Sequence, residues 1–341
     1  MNIKTLTSSN RNEVVECGRF LAAASIVWLH TVGAAGCVSL EYSARFDRWA
    51  VPFFIAASLW FANPITECKS PLFYFKCRFL RLYPVFIIWN IIYLTYRVFS
   101  GFFFHSSLQM DLISFAKQLL FDGFAHHLWF LTFLVLVDLA ITILAIIRIP
   151  SLIIYSILAL GLVLMSYLPS SFYPTFGSYL MVMSWWSLPA VILFTLCKPI
   201  IVNIITEKND TYILSFVFFS IGLIATWVSL NGNRNAVLEA ASGVFLFFSF
   251  LSLGNSKNLN LSPLWRWFTS MSAGIYLVHV LYVQGFKHIL NAIGYPLKSC
   301  GISLIIFLLS IIFSILSVEL LRKYGSNILF NGIKRNSQRI K

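Results

Sequence analysis

Long apolar blocks recur along the whole chain, broken only by short polar connections. A helix needs about 20 apolar residues to cross a bilayer. Ten blocks come near that length: 14–35, 48–63, 82–99, 128–147, 151–168, 179–197, 211–230, 236–254, 270–290 and 301–321. The second is short, and the fourth and fifth are divided only by the turn at Arg148 to Ser151, so nine or eleven spans fit as well. Period-2 alternation is absent, which argues against a β-barrel. The pattern predicts an all-α polytopic integral membrane protein with about ten transmembrane helices.

Composition agrees, with 59% hydrophobic, 17% aromatic and 11% charged residues. Polar side chains are too few to cover a soluble domain. Charge then orients the chain. With residues 1–13 inside and ten spans following, 18 of the 25 Lys and Arg fall inside. The other seven (Arg45, Arg48, Arg97, Lys117, Arg234, Lys287 and Lys298) fall outside. That bias predicts cytoplasmic termini, and it assigns the net charge of +13 to topology and anionic membrane lipids, with no nucleic-acid partner. The first block is longer than a signal-peptide core and nine more follow, so it reads as a span.

No soluble domain interrupts the pattern. Residues 1–330 form one membrane domain and 331–341 a basic cytoplasmic tail. The longest polar connections are 36–47 and 100–126 on the outer side, and 64–81 and 255–269 on the inner side. The six cysteines show neither metal nor redox spacing; Cys37 and Cys300 fall near the outer face, where they can pair.

Ionisable side chains inside a membrane are expensive and usually face the bundle interior. Arg19 and His30 in the first block are eleven residues apart, hence on one helix face and about 16 Å apart along the axis. Glu16 shares the stripe. Arg19 can equally snorkel to the headgroups, and His30 can equally bond a neighbouring helix. Lys76, Arg78 and Arg81 crowd the entrance to the third block, with Pro84 expected in its first turn. The cluster is either a positive-inside anchor or a site for paired phosphates, which arginine forks hold well. His127 and Asp138 are again eleven apart, with Trp129 between them as a candidate interfacial anchor. His279 falls near the middle of the ninth block, three residues after Tyr276.

These residues, in this order, resemble the acyltransferase-3 family of bacterial membrane O-acyltransferases. Arg19 and His30 match that family's arginine, ten residues, histidine pattern; Glu16 stands where an aspartate is common. "VPFFIAASLWF" is similar to its second-span pattern, with Ala57-Ser58 in place of Ser-Gly. "RFLRLYP" resembles its basic stretch through Arg78 and Arg81, and "HLWFL" and "GIYLVH" resemble its fourth-span and late-span signatures. Asp138 has no counterpart in the pattern.

The resemblance implies an acyl-CoA donor, in particular acetyl-CoA, and a sugar hydroxyl of a cell-envelope glycan as acceptor, lipid-linked or on the surface, at the bacterial inner membrane. It implies His30, Arg19 and Glu16 as the catalytic group, without a metal; the chemistry of the residues themselves then puts Lys76, Arg78 and Arg81 on the donor phosphates and His127, Trp129, Tyr276 and His279 toward the substrate, with Asp138 as a buried polar candidate beside them. His30 can serve as general base or as acyl-carrying nucleophile; sequence leaves both open. A flippase for a lipid-linked sugar is the competing class; it is favoured by inverted repeats and interrupted helices, and neither is visible in the sequence.

Overall fold

The computed structural model describes residues 12–35, 40, 43, 45–62, 68–104, 111–167, 179–207, 211–231, 235–255, 262–295, 299–324 and 328–331. Among these, regular structure is helical throughout. The first half of the chain gives α1 (Glu13–Ala35), α2 (Ala50–Trp60), α3 (Pro71–Phe104), α4 (Leu112–Lys117), α5 (Trp129–Ile147) and α6 (Ser151–Tyr167). The second half gives α7 (Tyr179–Glu207), α8 (Thr211–Asn231), α9 (Ala236–Gly254), α10 (Pro263–Ser270), α11 (Ser272–Ala292), α12 (Cys300–Tyr324) and the short α13 (Ile328–Asn331). Each of the ten apolar blocks coincides with a helix. Six of these, α3, α5, α7, α8, α9 and α12, are long and apolar enough to cross a membrane by length and composition. Of the others, α2 and α6 are short, and α1 and α11 carry the polar residues of the site.

Large apolar side chains such as Leu152 and Leu160 of α6, Phe216 and Ile224 of α8, and Ile305 of α12 are exposed, while Phe53, Phe86, Phe247 and Phe248 are fully buried. A chain that hides aromatics inside and turns Leu and Ile outward on several helices has the surface of a membrane protein. α1 lies at the centre, packed against α2, α9, α10, α11 and α12. Inside the bundle small polar residues tie helices together: Ser215 of α8 bonds Ser249 of α9, and Thr226 bonds Ser242. A Cβ on Gly274 would sit 2.4 Å from Val318, so the glycine is what lets α11 close onto α12.

Two sequence expectations fail here. α3 begins at Pro71, so Lys76, Arg78 and Arg81 are helical and Pro84 lies in the helix interior, not in its first turn. The helix continues through the basic stretch because Tyr74 and Arg78 find a buried carboxylate one helix away, described below. The expected outer connection at 100–126 is also different: its first part is the end of α3, and its last part folds inward. After α4 comes one π-helical turn, Gln118–Asp122, and then a 3-10 turn, His126–Leu128. Asn90, fourteen residues before the end of α3, donates to the carbonyls of Gln118 and Leu119 and accepts from Phe124 N–H at 2.6 Å. Fourteen residues is about 21 Å of helix, so this turn lies well down the bundle. Irregular backbone persists at that depth only where its polar groups are paired inside the protein. Asn90 supplies three of those pairings and Thr132 a fourth, to the carbonyl of Phe121. Gly123, with φ of +83°, makes the reversal that an L side chain would resist. The 331–341 tail lies outside the described residues, apart from Asn331.

Candidate functional site

Two polar centres stand along α1, at Arg19 and at His30, which are eleven residues or about 16 Å of helix apart, and a cavity lies at the first. At the first, Arg78 of α3 is nearly buried and gives its Nε to Asp138 Oδ2 at 2.8 Å and its Nη2 to Ser58 Oγ at 3.0 Å. Tyr74 donates to the other carboxylate oxygen at 2.6 Å. Asp138 is 1% exposed, so this is a desolvated ion pair with both oxygens occupied. It places the carboxylate that sequence alone left without a partner. Arg19 is held at 2.9 Å by Glu16, one turn away on α1. Arg81 has no carboxylate partner among the described residues.

All three arginines line a cavity of about 150 Å³, together with Ser58, Tyr276 and Leu277. That volume holds about five waters; it suits a slender chain, and a nucleotide would have to remain outside. Lys76 is exposed and does not line it. Phe330 of α13 does, and the neighbouring carbonyl of Leu329 accepts from Trp89 Nε1 at 2.8 Å, which pins α13 against α3.

At the second centre three imidazoles meet from three elements: His30 of α1, His127 of the 3-10 turn, and His279 of α11. Their ring centroids are 5.3 Å apart for His30 and His279, 5.0 Å for His127 and His279, and 6.4 Å for His30 and His127. His127 and His279 are buried, while His30 is partly exposed. Two tyrosines brace them. Tyr93 stands edge-on to His127 and donates to the carbonyl of Leu277 at 2.7 Å. Tyr276 stands edge-on to His127 and donates to its carbonyl. Tyr276 therefore belongs to both centres, as the wall of the cavity and the support of the histidines.

Tautomers follow from the partners. His279 Nδ1 lies 2.7 Å from the carbonyl of Tyr276 and 3.1 Å from that of Ile275. Carbonyls only accept, so Nδ1 carries the proton and Nε2 is a bare acceptor. His127 Nε2 faces the carbonyl of Leu277 at 3.2 Å, which leaves Nδ1 bare by the same logic. Both bare nitrogens are buried without a hydrogen-bond partner. Lys287 of α11 donates to the backbone carbonyl of His30 at 3.1 Å and so brings a cation to the rim.

Such a pairing of an arginine-lined cavity with a histidine centre suits acyl transfer, and comparison with known families agrees. A family model described as an acyltransferase domain, of acyltransferase family 3, matches residues 12–319. The chain belongs to the acyltransferase-3 family. No curated protein and no solved structure matches it. Membership accounts for the membrane-protein surface and makes the chain an acyltransferase.

Of the residues expected from sequence, Arg19, Arg78, Arg81 and Tyr276 come together at the cavity, with Asp138 behind Arg78. His30, His127 and His279 come together beyond it. Trp129, at the start of α5, is buried against Phe130 and Phe133 and does not line the cavity. Sequence reading missed Tyr74, Asn90, Tyr93 and Lys287. Asn90 and Tyr93 had a signal, being hydrogen-bonding residues within the apolar run "FIIWNIIYL". Tyr74 and Lys287 lie near the ends of helices, where polar residues are ordinary. Among the described residues no three His, Cys, Asp or Glu side chains are arranged to hold a metal ion.

Proposed function

We propose that this acyltransferase moves an acetyl group from cytoplasmic acetyl-CoA to a hydroxyl of a cell-envelope glycan at the bacterial inner membrane. The observation that carries the reading is the cavity lined by Arg19, Arg78, Arg81 and Tyr276, the last of which packs edge-on against His127 of the histidine centre. An acyl thioester with a phosphate-bearing handle has the same two chemistries in the same order. Arg78 is engaged by Asp138, so the free guanidinium of Arg81 is the principal phosphate ligand, with Arg19 and Arg78 beside it and Lys76 at the rim.

The arginine end faces the cytoplasm, where the donor is made. Two observations support that orientation. The Lys and Arg bias puts this end inside, and Cys300, at the opposite end of α12, is disulfide-bonded, as suits an oxidising outer compartment. Cys37, its expected partner, lies outside the described residues. The pantetheine arm enters the narrow cavity and the thioester meets the acceptor at His30, the one histidine of the three with exposed surface. His30 takes the proton of the sugar hydroxyl as that oxygen bonds the thioester carbonyl carbon; the C–S bond breaks and the proton passes to the departing CoA sulfur. An acyl-histidine route uses the same residue as nucleophile. Glu16 keeps Arg19 turned along α1 through their 2.9 Å ion pair.

The inward-folded segment after α4 is the one feature that favours a flippase, because transporters place interrupted elements at their binding sites. Replacing His30 with alanine separates the readings. Mass spectrometry of envelope glycans from cells carrying His30→Ala is expected to show loss of one acetyl mass with glycan export intact. Retained acetylation removes His30 from the chemistry, and failed export favours the flippase.

A further inference from the structure

We infer that His279 is the positioning residue for His30: its bare Nε2 accepts the ring N–H of His30 and so fixes which His30 nitrogen faces the acceptor hydroxyl. The inference rests on the reading of His30 as the general base, and three observations support it.

The first is the lone pair itself. The backbone carbonyls of Ile275 and Tyr276 hold the proton on His279 Nδ1, and Nε2 is buried with no partner. A desolvated acceptor of this kind is destabilising unless a donor reaches it. The second is that the other aromatic groups around His279 have no donor to give. His127 presents its own bare Nδ1, and two acceptors cannot bond each other. The hydroxyls of Tyr93 and Tyr276 are given to the carbonyls of Leu277 and His127. Of the aromatic rings packed against His279, that leaves the imidazole of His30.

The third is spacing. Two imidazoles joined by an N–H···N bond of about 2.9 Å, with about 1.2 Å from each nitrogen to its ring centre, have centroids about 5.3 Å apart. His30 and His279 are 5.3 Å apart, whereas His30 and His127 are 6.4 Å apart. A turn of the His30 ring about χ2 aims an N–H at His279, and the other nitrogen is then unprotonated and directed away from the buried pair. In this arrangement a neutral imidazole does what a carboxylate or amide does in other histidine dyads: it holds the tautomer and supports the imidazolium that forms when the hydroxyl is deprotonated. His279 touches neither donor nor acceptor.

The test uses the full chain in lipid nanodiscs with acetyl-CoA, following CoA thiol release in the presence of an envelope glycan extract. His279→Leu fills similar space without an acceptor; His279→Gln returns a carbonyl oxygen near the place of Nε2. His279→Leu is expected to lower kcat by about 100-fold with KM for acetyl-CoA unchanged, and His279→Gln to regain at least tenfold. If both variants fold with wild-type thermal stability and lose activity equally, His279 is not acting as an acceptor and the inference is overturned. Wild-type kcat in His279→Leu overturns it as well. Should His30→Ala retain full activity in the same assay, the failure belongs to the reading of His30 instead.

Discussion

The buried pair of Arg78 and Asp138 predicts an effect of defined sign and size. In Asp138→Asn the hydrogen bond from Tyr74 can persist on Oδ1, since an amide oxygen accepts there, but Arg78 loses its counter-charge. The guanidinium is 8% exposed and its partner 1%, so water cannot replace the lost carboxylate. Removing one member of such a pair costs about 3–5 kcal/mol. With the hydrogen bonds partly kept, the lower end applies: about 3 kcal/mol, or roughly a 100-fold shift in the unfolding equilibrium. A second consequence has the opposite sign. The cavity gains one net positive charge beside Arg81, so an anionic ligand stabilises the variant more than the wild type. The assay is reversible unfolding in mixed micelles, with and without CoA, for wild type, Asp138→Asn and the double variant Arg78→Leu/Asp138→Leu. The expected order without ligand has the single variant lowest, with the double variant recovering most of the loss because no buried charge remains unpaired. An Asp138→Asn protein within 0.5 kcal/mol of wild type would refute the reasoning, since the pair would then be hydrated and the cavity wall open.

Three further outcomes follow from the same geometry. Arg81→Ala should raise KM for acetyl-CoA by about tenfold to 100-fold with little change in kcat, as expected for loss of a charge-assisted phosphate contact, while Lys76→Ala changes it far less; steady-state kinetics in nanodiscs measures both. Asn90→Leu leaves two carbonyls and one N–H of the inward turn without partners and should lower stability by about 3 kcal/mol; activity, read by CoA release, falls with it because His127 follows that turn. Gly274→Val must push Val318 aside and should reduce both stability and activity; a wild-type melting temperature would mean that α11 and α12 are not in the contact described.

Much of the fold was legible because spans are written in long apolar blocks, and each block proved to be a helix. Boundaries were less legible where tertiary partners extend a helix past its apolar core. α3 begins at Pro71 because Asp138, sixty residues ahead of Arg78 in sequence, satisfies a cation that looks from sequence alone like an interfacial anchor. The segment at 118–128 reads as a loop because it is not apolar enough to be a span, and the side chains that fold it inward, Asn90 above all, lie outside it in sequence. For the site, helical spacing put Arg19 and His30 on one face of α1, and the structure keeps them on the two centres. What spacing could not supply was the meeting of His127 and His279 with His30. Those contacts join residues 97 and 249 positions away, and nothing local encodes them.

The inward turn held by Asn90 also divides labour within the chain. Gln118 to Leu128 is anchored from α3 on one side and runs straight into α5 on the other, so His127 is held from both sides. On the function proposed above, variation in the acceptor would then fall on other parts of the chain, with the three imidazoles held in register.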